Sequence, residues 1–236
     1  YENETDNYWQ NHYQLFLNHE FNNNWIFNTA AFLTTGRGYY EQYKGSQTLA
    51  DYEIGPITSD TGLIDASDLI RQLWLRNKFF GQVFSFQRSS KMNEWSLGGG
   101  WSRYHGAHTG EVIWTEANPT QRNRWYDDNA QKTDINLYSK WQHTIHSNWR
   151  IFSDLQYRYV QYSIDGFRNN PSVTVNQYWH FLNPKAGISF SNNKWSGFLS
   201  YALANKEPNR DDFEAGILEQ PKREQLHDVE ANITRK

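Results

Sequence analysis

The sequence predicts an all-β chain, a stretch of antiparallel transmembrane β-barrel. Three observations carry that prediction. Aromatic residues make up 17% of the 236 residues, with 11 Trp, 15 Tyr and 14 Phe, yet mean hydropathy is −0.90. Long strands with one face toward lipid and the other toward water give that combination. Period-two alternation continues for about 11–15 residues at a time, against about 5–6 in an average soluble strand and about 9–11 in a tilted membrane-crossing one. Finally, four short turns containing Asn, at 20–24, 88–94, 144–148 and 191–194, are each followed at once by a tryptophan: Trp25, Trp95, Trp149 and Trp195.

Taken in chain order, the strands justify themselves by alternation. Trp9, Tyr13, Leu15 and Leu17 oppose Gln10, His12, Gln14 and Asn18. Trp25, Phe27, Thr29, Ala31 and Leu33 share the next apolar face. Segment 69–87 has no clean phase, and a bulge near Phe79-Phe80-Gly81 would switch its faces. Trp95, Leu97, Gly99 and Trp101 follow, then Ile135, Leu137 and Trp141 against Asp134, Asn136 and Lys140. Trp149, Ile151, Leu155, Tyr157 and Tyr159 oppose Arg150, Asp154, Gln156 and Arg158. Leu182, Ala186, Ile188 and Phe190 oppose Asn183, Lys185 and Ser189, and Trp195, Leu199, Tyr201 and Leu203 oppose Ser196, Ser200 and Ala202. Phe16, Phe32 and Phe152 break the pattern on the polar face.

A ninth strand ends in mid-pattern at Ile233-Thr234-Arg235-Lys236, and Tyr1-Glu2-Asn3-Glu4 reads as the tail of a polar loop. Single-chain bacterial barrels close with even numbers of strands, so about nine strands with cut ends predict part of a larger barrel. Long loops are expected at 39–68, 116–129, 165–177 and 206–225, opposite the short turns, which is the asymmetry of outer-membrane barrels. An indole one residue past a turn belongs at headgroup depth, ring in the apolar boundary and N–H toward water. The four tryptophans are therefore expected to form a membrane-interface girdle. Core tryptophans of a soluble sandwich are the competing reading.

Several classes are excluded. The chain has no Cys, so disulfides, thiolate metal sites and cysteine nucleophiles are out. No apolar run approaches the ~18 residues of a membrane helix. A formal charge of −3 gives no reason to expect nucleic acid. No Walker loop, nucleophile elbow or HExxH occurs, and no Ser/His/Asp set can be assembled, so no enzyme, catalytic residue or cofactor is expected. His105 and His108 would not share a face on extended backbone, so no metal site is expected. Asp127-Asp128 and Asp211-Asp212 read as solvated loop charge, and Asp154 with Arg150 and Arg158 as a salt-bridged wall. Gly98 to Gly100 suit close approach to another backbone, such as a neighbouring strand.

Ligand-binding candidates lie where strands meet long loops. Arg37, Tyr39, Tyr40 and Tyr43 form one group, Arg103 and Tyr104 beside Trp101 another. Arginine and aromatic groups at a barrel mouth suit aromatic or anionic ligands such as catecholates, through stacking and charge-assisted bonds. An outer aromatic girdle would use the same residues.

Two segments add a family resemblance. Tyr201-Ala202-Leu203-Ala204-Asn205-Lys206-Glu207-Pro208-Asn209 resembles the strand-to-loop motif of TonB-dependent receptors, in which an aromatic, a basic residue, alanine and proline follow a tyrosine. Tyr201, Lys206 and Pro208 match; Asn205 replaces the aromatic and Glu207 the alanine. The stretch from Pro221 to Asn232 is similar to a second motif of that family through Glu224 and Glu230, with Arg223 in place of a proline and Asn232 in place of a glycine. Gly36-Arg37-Gly38-Tyr39-Tyr40-Glu41-Gln42-Tyr43-Lys44, Gly98-Gly99-Gly100-Trp101-Ser102-Arg103-Tyr104 and Asn183-Pro184-Lys185-Ala186-Gly187 resemble the branch found in Bacteroidetes, nearer its siderophore receptors than its glycan importers.

The resemblance implies a 22-stranded barrel in the bacterial outer membrane, closed by a plug and driven by a TonB-type energy-transducing protein. Residues 1–236 would be its middle to C-terminal part, the plug domain lying outside this chain. Its partners would be outer-membrane lipid, the plug, a small ligand such as a ferric siderophore and, in some members, a surface lipoprotein. The expected function is active uptake of that chelate. The alternatives are a glycan or peptide importer of the same fold, and a soluble aromatic-rich carbohydrate-binding β-domain.

Overall fold

A computed structural model describes residues 2, 4–21, 24–60, 62–214 and 221–235. Parts of the first turn (22 and 23), of the last long loop (215–220) and of both termini (Tyr1, Asn3, Lys236) lie outside the described residues. Nine long strands form one antiparallel sheet: β1 (Thr5–Phe21), β2 (Trp25–Thr48), β5 (Ala66–Ser89), β6 (Asn93–Thr115), β7 (Asn123–His146), β8 (Trp149–Phe167), β9 (Asn170–Ser191), β10 (Trp195–Lys206) and β11 (Glu224–Arg235). Each pairs with its neighbours in that order, and β1 and β11 each pair on one side only. A small hairpin, β3 (Ile57–Ser59) with β4 (Gly62–Ile64), and two 3₁₀ turns, Leu49–Tyr52 and Arg210–Phe213, complete the described elements. No α-helix occurs among the described residues, and no helix is long and apolar enough to cross a membrane.

Two of the short turns show a reason for their Asn. Asn24 adopts left-handed backbone (φ 62°) immediately before Trp25, a conformation Asn tolerates better than most residues. Asn192 Oδ1 accepts hydrogen bonds from the N–H groups of Lys194 (2.8 Å) and Trp195 (2.7 Å), an Asx turn that starts β10.

Register assigns every strand residue to one of two faces, because directly opposed residues point the same way. Trp25 faces Arg88, which faces Trp95, which faces Trp141. Phe27 faces Phe86 and then Leu97; Leu137 faces Tyr157 and then Leu182. Trp149 faces Phe190, which faces Gly197, two positions past Trp195. All four turn-following tryptophans therefore share one face with an apolar belt. Trp95, Trp149 and Trp195 are exposed there at 49, 44 and 45%. Measured along register, Trp149 lies four residues short of Ser153, opposite Trp141, and Trp195 two short of Gly197. Six residues of about 3.3 Å over six strand spacings of about 4.8 Å correspond to a tilt of about 35°, the value of closed barrels.

The sheet curls toward the other face. Gln10 and His12 of β1, Thr34 of β2, Asn77 and Phe79 of β5, Tyr104 of β6 and Lys132 and Asp134 of β7 surround one cavity of about 600 Å³. At the end opposite the short turns, two connections fold onto this concave face. Leu49, Tyr52 and Ile54 pack on Leu69 and Val112, and Phe213 packs with Val160, Tyr162, Ile164, Val175 and Phe181.

Three expectations need correction. The strands run through most of the expected loops: β2 continues to Thr48, β7 starts at Asn123, and β8 and β9 meet at Arg168 and Asn169, so 165–177 is largely a hairpin with Gly166 at φ 84°. The cause is an inversion of the apolar face. On β8 the apolar residues up to Tyr159, Phe152 apart, lie on the convex side, whereas Val160, Tyr162 and Ile164 lie on the concave side under Phe213. Next, β5 is continuous through Phe79-Phe80-Gly81; its register shift falls between Ile70 and Arg71. Lastly, the strands are longer than expected, 24 residues in β2, β5 and β7.

The aromatic residues that break alternation also have a cause. Phe32 lies directly opposite Gly81, and Phe152 opposite Gly187. A Cβ on Gly187 would come within 2.5 Å of Phe152 Cζ, and one on Gly81 within 3.0 Å of Phe32 Cζ. Each ring fills the space its cross-strand glycine leaves open. Cβ atoms on Gly98, Gly99 and Gly100 would meet Phe84, Asn136 and Gln82 carbonyls on the neighbouring strands.

Candidate functional site

The sequence candidates separate by parity. Arg37, Tyr39 and Tyr43 share the convex face with Trp25, and Arg103 shares it with Trp95. Tyr40 and Tyr104 point to the concave face. Among the convex residues, Tyr39 packs against Trp74 with ring centres 4.5 Å apart, Arg103 donates to Gln131 (2.7 Å), and the Tyr43 hydroxyl donates to the Asp68 carboxylate. His105 is convex and His108 concave, so they share no site, and no group of three or more possible metal ligands occurs among the described residues. Asp127 and Asp128 likewise part: Asp127 pairs with Arg124 on the convex side, and Asp128 is buried opposite His108. Asp212 accepts from the Asn209 N–H.

The concave face collects charge that sequence spacing did not reveal. Glu207, which replaces the motif's alanine, is 6% exposed. It accepts from Lys132 Nζ (2.8 Å) and from Arg158 Nη1 (2.8 Å) and Nη2 (3.0 Å). Arg158 Nε also donates to Asp134 (3.0 Å), and Lys132 Nζ to the Tyr162 hydroxyl (3.1 Å). Burial alone would raise the Glu207 carboxyl; the two cations overcome it and hold it down at about 2. Asp154 pairs with Lys140 (3.7 Å), not with Arg158. The wall is salt-bridged as expected, but with other partners. Lys132, Asp134, Arg158 and Glu207 come from three distant segments, and only contact order across β7–β10 brings them together.

Above this network, beyond the apolar belt, the concave mouth carries Tyr126, with Tyr40, Arg71, Arg168 and Asp128 each within electrostatic reach of it. Burial pushes the Tyr126 phenol up to about 12. Arg71 donates to Gln42 Oε1 (2.9 Å) and the Tyr52 hydroxyl (3.1 Å), which fixes the 3₁₀ turn over the mouth. Phenols and guanidinium groups gathered on one face can stack on a planar ligand and neutralise an anionic one.

No protein-family model matches the chain, and no curated protein matches it in sequence. Solved structures do match in shape. The open form of the ferric-catecholate import receptor Fiu from E. coli K12 aligns with TM-score 0.62 and 11% identity over 86% of this chain and 36% of its own. Its closed form gives 0.60 and 11% over 98% and 39%. The siderophore receptor PiuA from Acinetobacter baumannii gives 0.61 and 13% over 86% and 33%. At this identity the likeness establishes the fold, an antiparallel β-barrel wall, and the chain spans between a third and two fifths of those receptors.

Proposed function

We propose that the chain is a wall segment of a TonB-dependent receptor in the bacterial outer membrane that imports a ferric siderophore or a related iron chelate. The observation that carries this reading is the two-sided sheet. Its convex face is a tryptophan-bounded apolar belt, exposed over the whole width of nine strands, and its concave face is charged and roofed by inward-folded connections. A bilayer is the environment that matches an exposed belt of that size. The shape likeness to receptors named for ferric-catecholate and siderophore import supports the substrate class.

On this reading the four tryptophans mark the periplasmic boundary, and the free edges of β1 and β11 pair with further strands of a 22-stranded barrel. The concave face receives a plug domain of the same receptor, pulled by a TonB-type protein. Of the sequence candidates, Tyr40 and Tyr104, with Arg71 and Tyr126, are the proposed ligand contacts on the concave face; Arg37, Tyr39, Tyr43 and Arg103 lie on the opposite face. Uptake of labelled ferric chelates by a strain lacking the protein tests the assignment. Loss of uptake for one chelate class supports it. Unchanged uptake of every chelate, with growth lost on a glycan instead, would move the substrate to glycan import through the same fold, with a surface lipoprotein as partner.

A further inference from the structure

We propose that the convex face binds the phosphate-bearing headgroup of a bilayer lipid at Arg37, Arg76, Lys78 and Arg103. The inference rests on the membrane reading above and concerns a surface that reading leaves unused.

Register sets these four cations together on adjacent strands, at the edge of the apolar belt away from the short turns. Arg37 of β2 lies directly opposite Arg76 of β5. Lys78 is one step along the same face of β5, and Arg103 of β6 is opposite Phe80. Like charges placed directly opposite destabilise a sheet unless something neutralises them. Cations at other places on the sheet have carboxylate partners: Arg158 and Lys132 with Asp134 and Glu207, Lys140 with Asp154, and Arg124 with Glu111 and Asp127. Among the described residues, none of the four has a carboxylate within salt-bridge distance. Their contacts are with uncharged groups: Arg37 and Arg76 lie 4.8 and 5.3 Å from the centre of the Trp74 ring, Arg103 donates to Gln131, and His105 lies within electrostatic reach of Lys78 and Arg103.

A groove adjoins them. An open groove of about 510 Å³ lies between the indoles of Trp9 and Trp74, with Asn11, Thr35 and Arg37 along it. Leu33, Phe80 and Trp101 continue the same face toward the belt. Guanidinium groups suit phosphate oxygens through paired charge-assisted bonds. The indoles suit the carbonyl and sugar or glycerol level of a lipid, and the belt below suits acyl chains. The continuity of cations, indole groove and apolar belt selects a lipid as the occupant over a free phosphate ion.

The test uses the intact protein that contains this chain, purified in detergent and examined by native mass spectrometry. Dioleoyl phosphatidic acid, dioleoylglycerol and inorganic phosphate are the probes. The expected result is retention of phosphatidic acid over dioleoylglycerol by about tenfold or more, without competition from millimolar inorganic phosphate. Arg37→Gln with Arg76→Gln abolishes that preference, Arg37→Lys with Arg76→Lys keeps most of it, and Arg124→Gln leaves it unchanged. Equal retention of the two lipids by the native protein would overturn the inference, as would equal preference in the double Gln variant or displacement by phosphate. A protein that stays monodisperse without detergent would sink the membrane reading itself. A detergent-requiring barrel with no lipid preference sinks this inference alone.

Discussion

Arg158 donates to Glu207 at 2.8 Å, joining β8 to the residue that follows β10 and reaching over β9. The contact exists because the sheet curls, so it reports tertiary closure of the wall more than local strand geometry. Replacing one partner of a buried ion pair leaves the other uncompensated, which typically costs about 3–5 kcal/mol. Glu207→Gln retains an acceptor oxygen, so a loss of about 1–3 kcal/mol is expected. Thermal unfolding of the purified protein measures it.

The same carboxylate gives a pH dependence. Its folded value is about 2, below its ordinary 4.5. A depressed carboxylate contributes stability that is fully present above the ordinary value and is lost as pH falls through the folded one. The difference in melting temperature between the native protein and Glu207→Gln is therefore expected to be constant above about pH 5 and to shrink progressively toward pH 2. A difference that grows on acidification would contradict the geometry around Glu207.

Phe152 and Gly187 form a fitted pair. Gly187→Ala brings a Cβ to 2.5 Å from Phe152 Cζ and 2.8 Å from the Leu199 carbonyl. Overpacking of this kind costs about 1–3 kcal/mol. Phe152→Ala added to it is expected to relieve only part of the cost, because the Leu199 carbonyl remains. Denaturant unfolding of the two single variants and the double variant separates the contributions.

The ligand reading divides neighbours. Tyr40→Ala and Tyr104→Ala are expected to lower chelate uptake severalfold, whereas Tyr43→Ala, one of the outward candidates, is expected to leave it within twofold. Uptake assays at matched surface expression decide this, and an effect confined to Tyr43 would reverse the facing of the site.

Much of the fold is legible in the sequence, and the illegible parts share a cause. The strand count and the shared face of Trp25, Trp95, Trp149 and Trp195 follow from turn chemistry and alternation. Alternation fails where the surroundings of the two faces exchange. Beyond Tyr159 the outer face is wetted and the inner face packs under Phe213, so apolar residues move to the other parity and strand reads as loop. Grouping Tyr39 with Tyr40, or Arg103 with Tyr104, merges residues that a strand must separate. Lys132, Asp134 and Glu207 were invisible as a site because nothing in their spacing encodes the curl that joins them. Glu207 stood out in the sequence only as a departure from a motif.

A lipid-facing belt also makes opposite predictions for adjacent residues. Leu137 is convex and 48% exposed, whereas Asn136 is concave. Leu137→Arg is expected to destabilise the membrane-inserted protein by about 2–4 kcal/mol, and Asn136→Arg by about 0.5 kcal/mol or less. Refolding equilibria into lipid vesicles compare the two.

The central claim, that the tryptophan-bearing face meets lipid and the other face lines an interior, is tested most directly by spin-label scanning of β8. The chain has no Cys, so single cysteines at successive positions from 151 to 166 each report one site. In bilayers the account predicts period-two accessibility. Odd positions from 151 to 159 collide with oxygen in the hydrocarbon, even positions do not, and the lipid signal ends beyond 160. Uniform access of a water-soluble nickel chelate to both faces from 151 to 159, or oxygen access at the even positions, would contradict it.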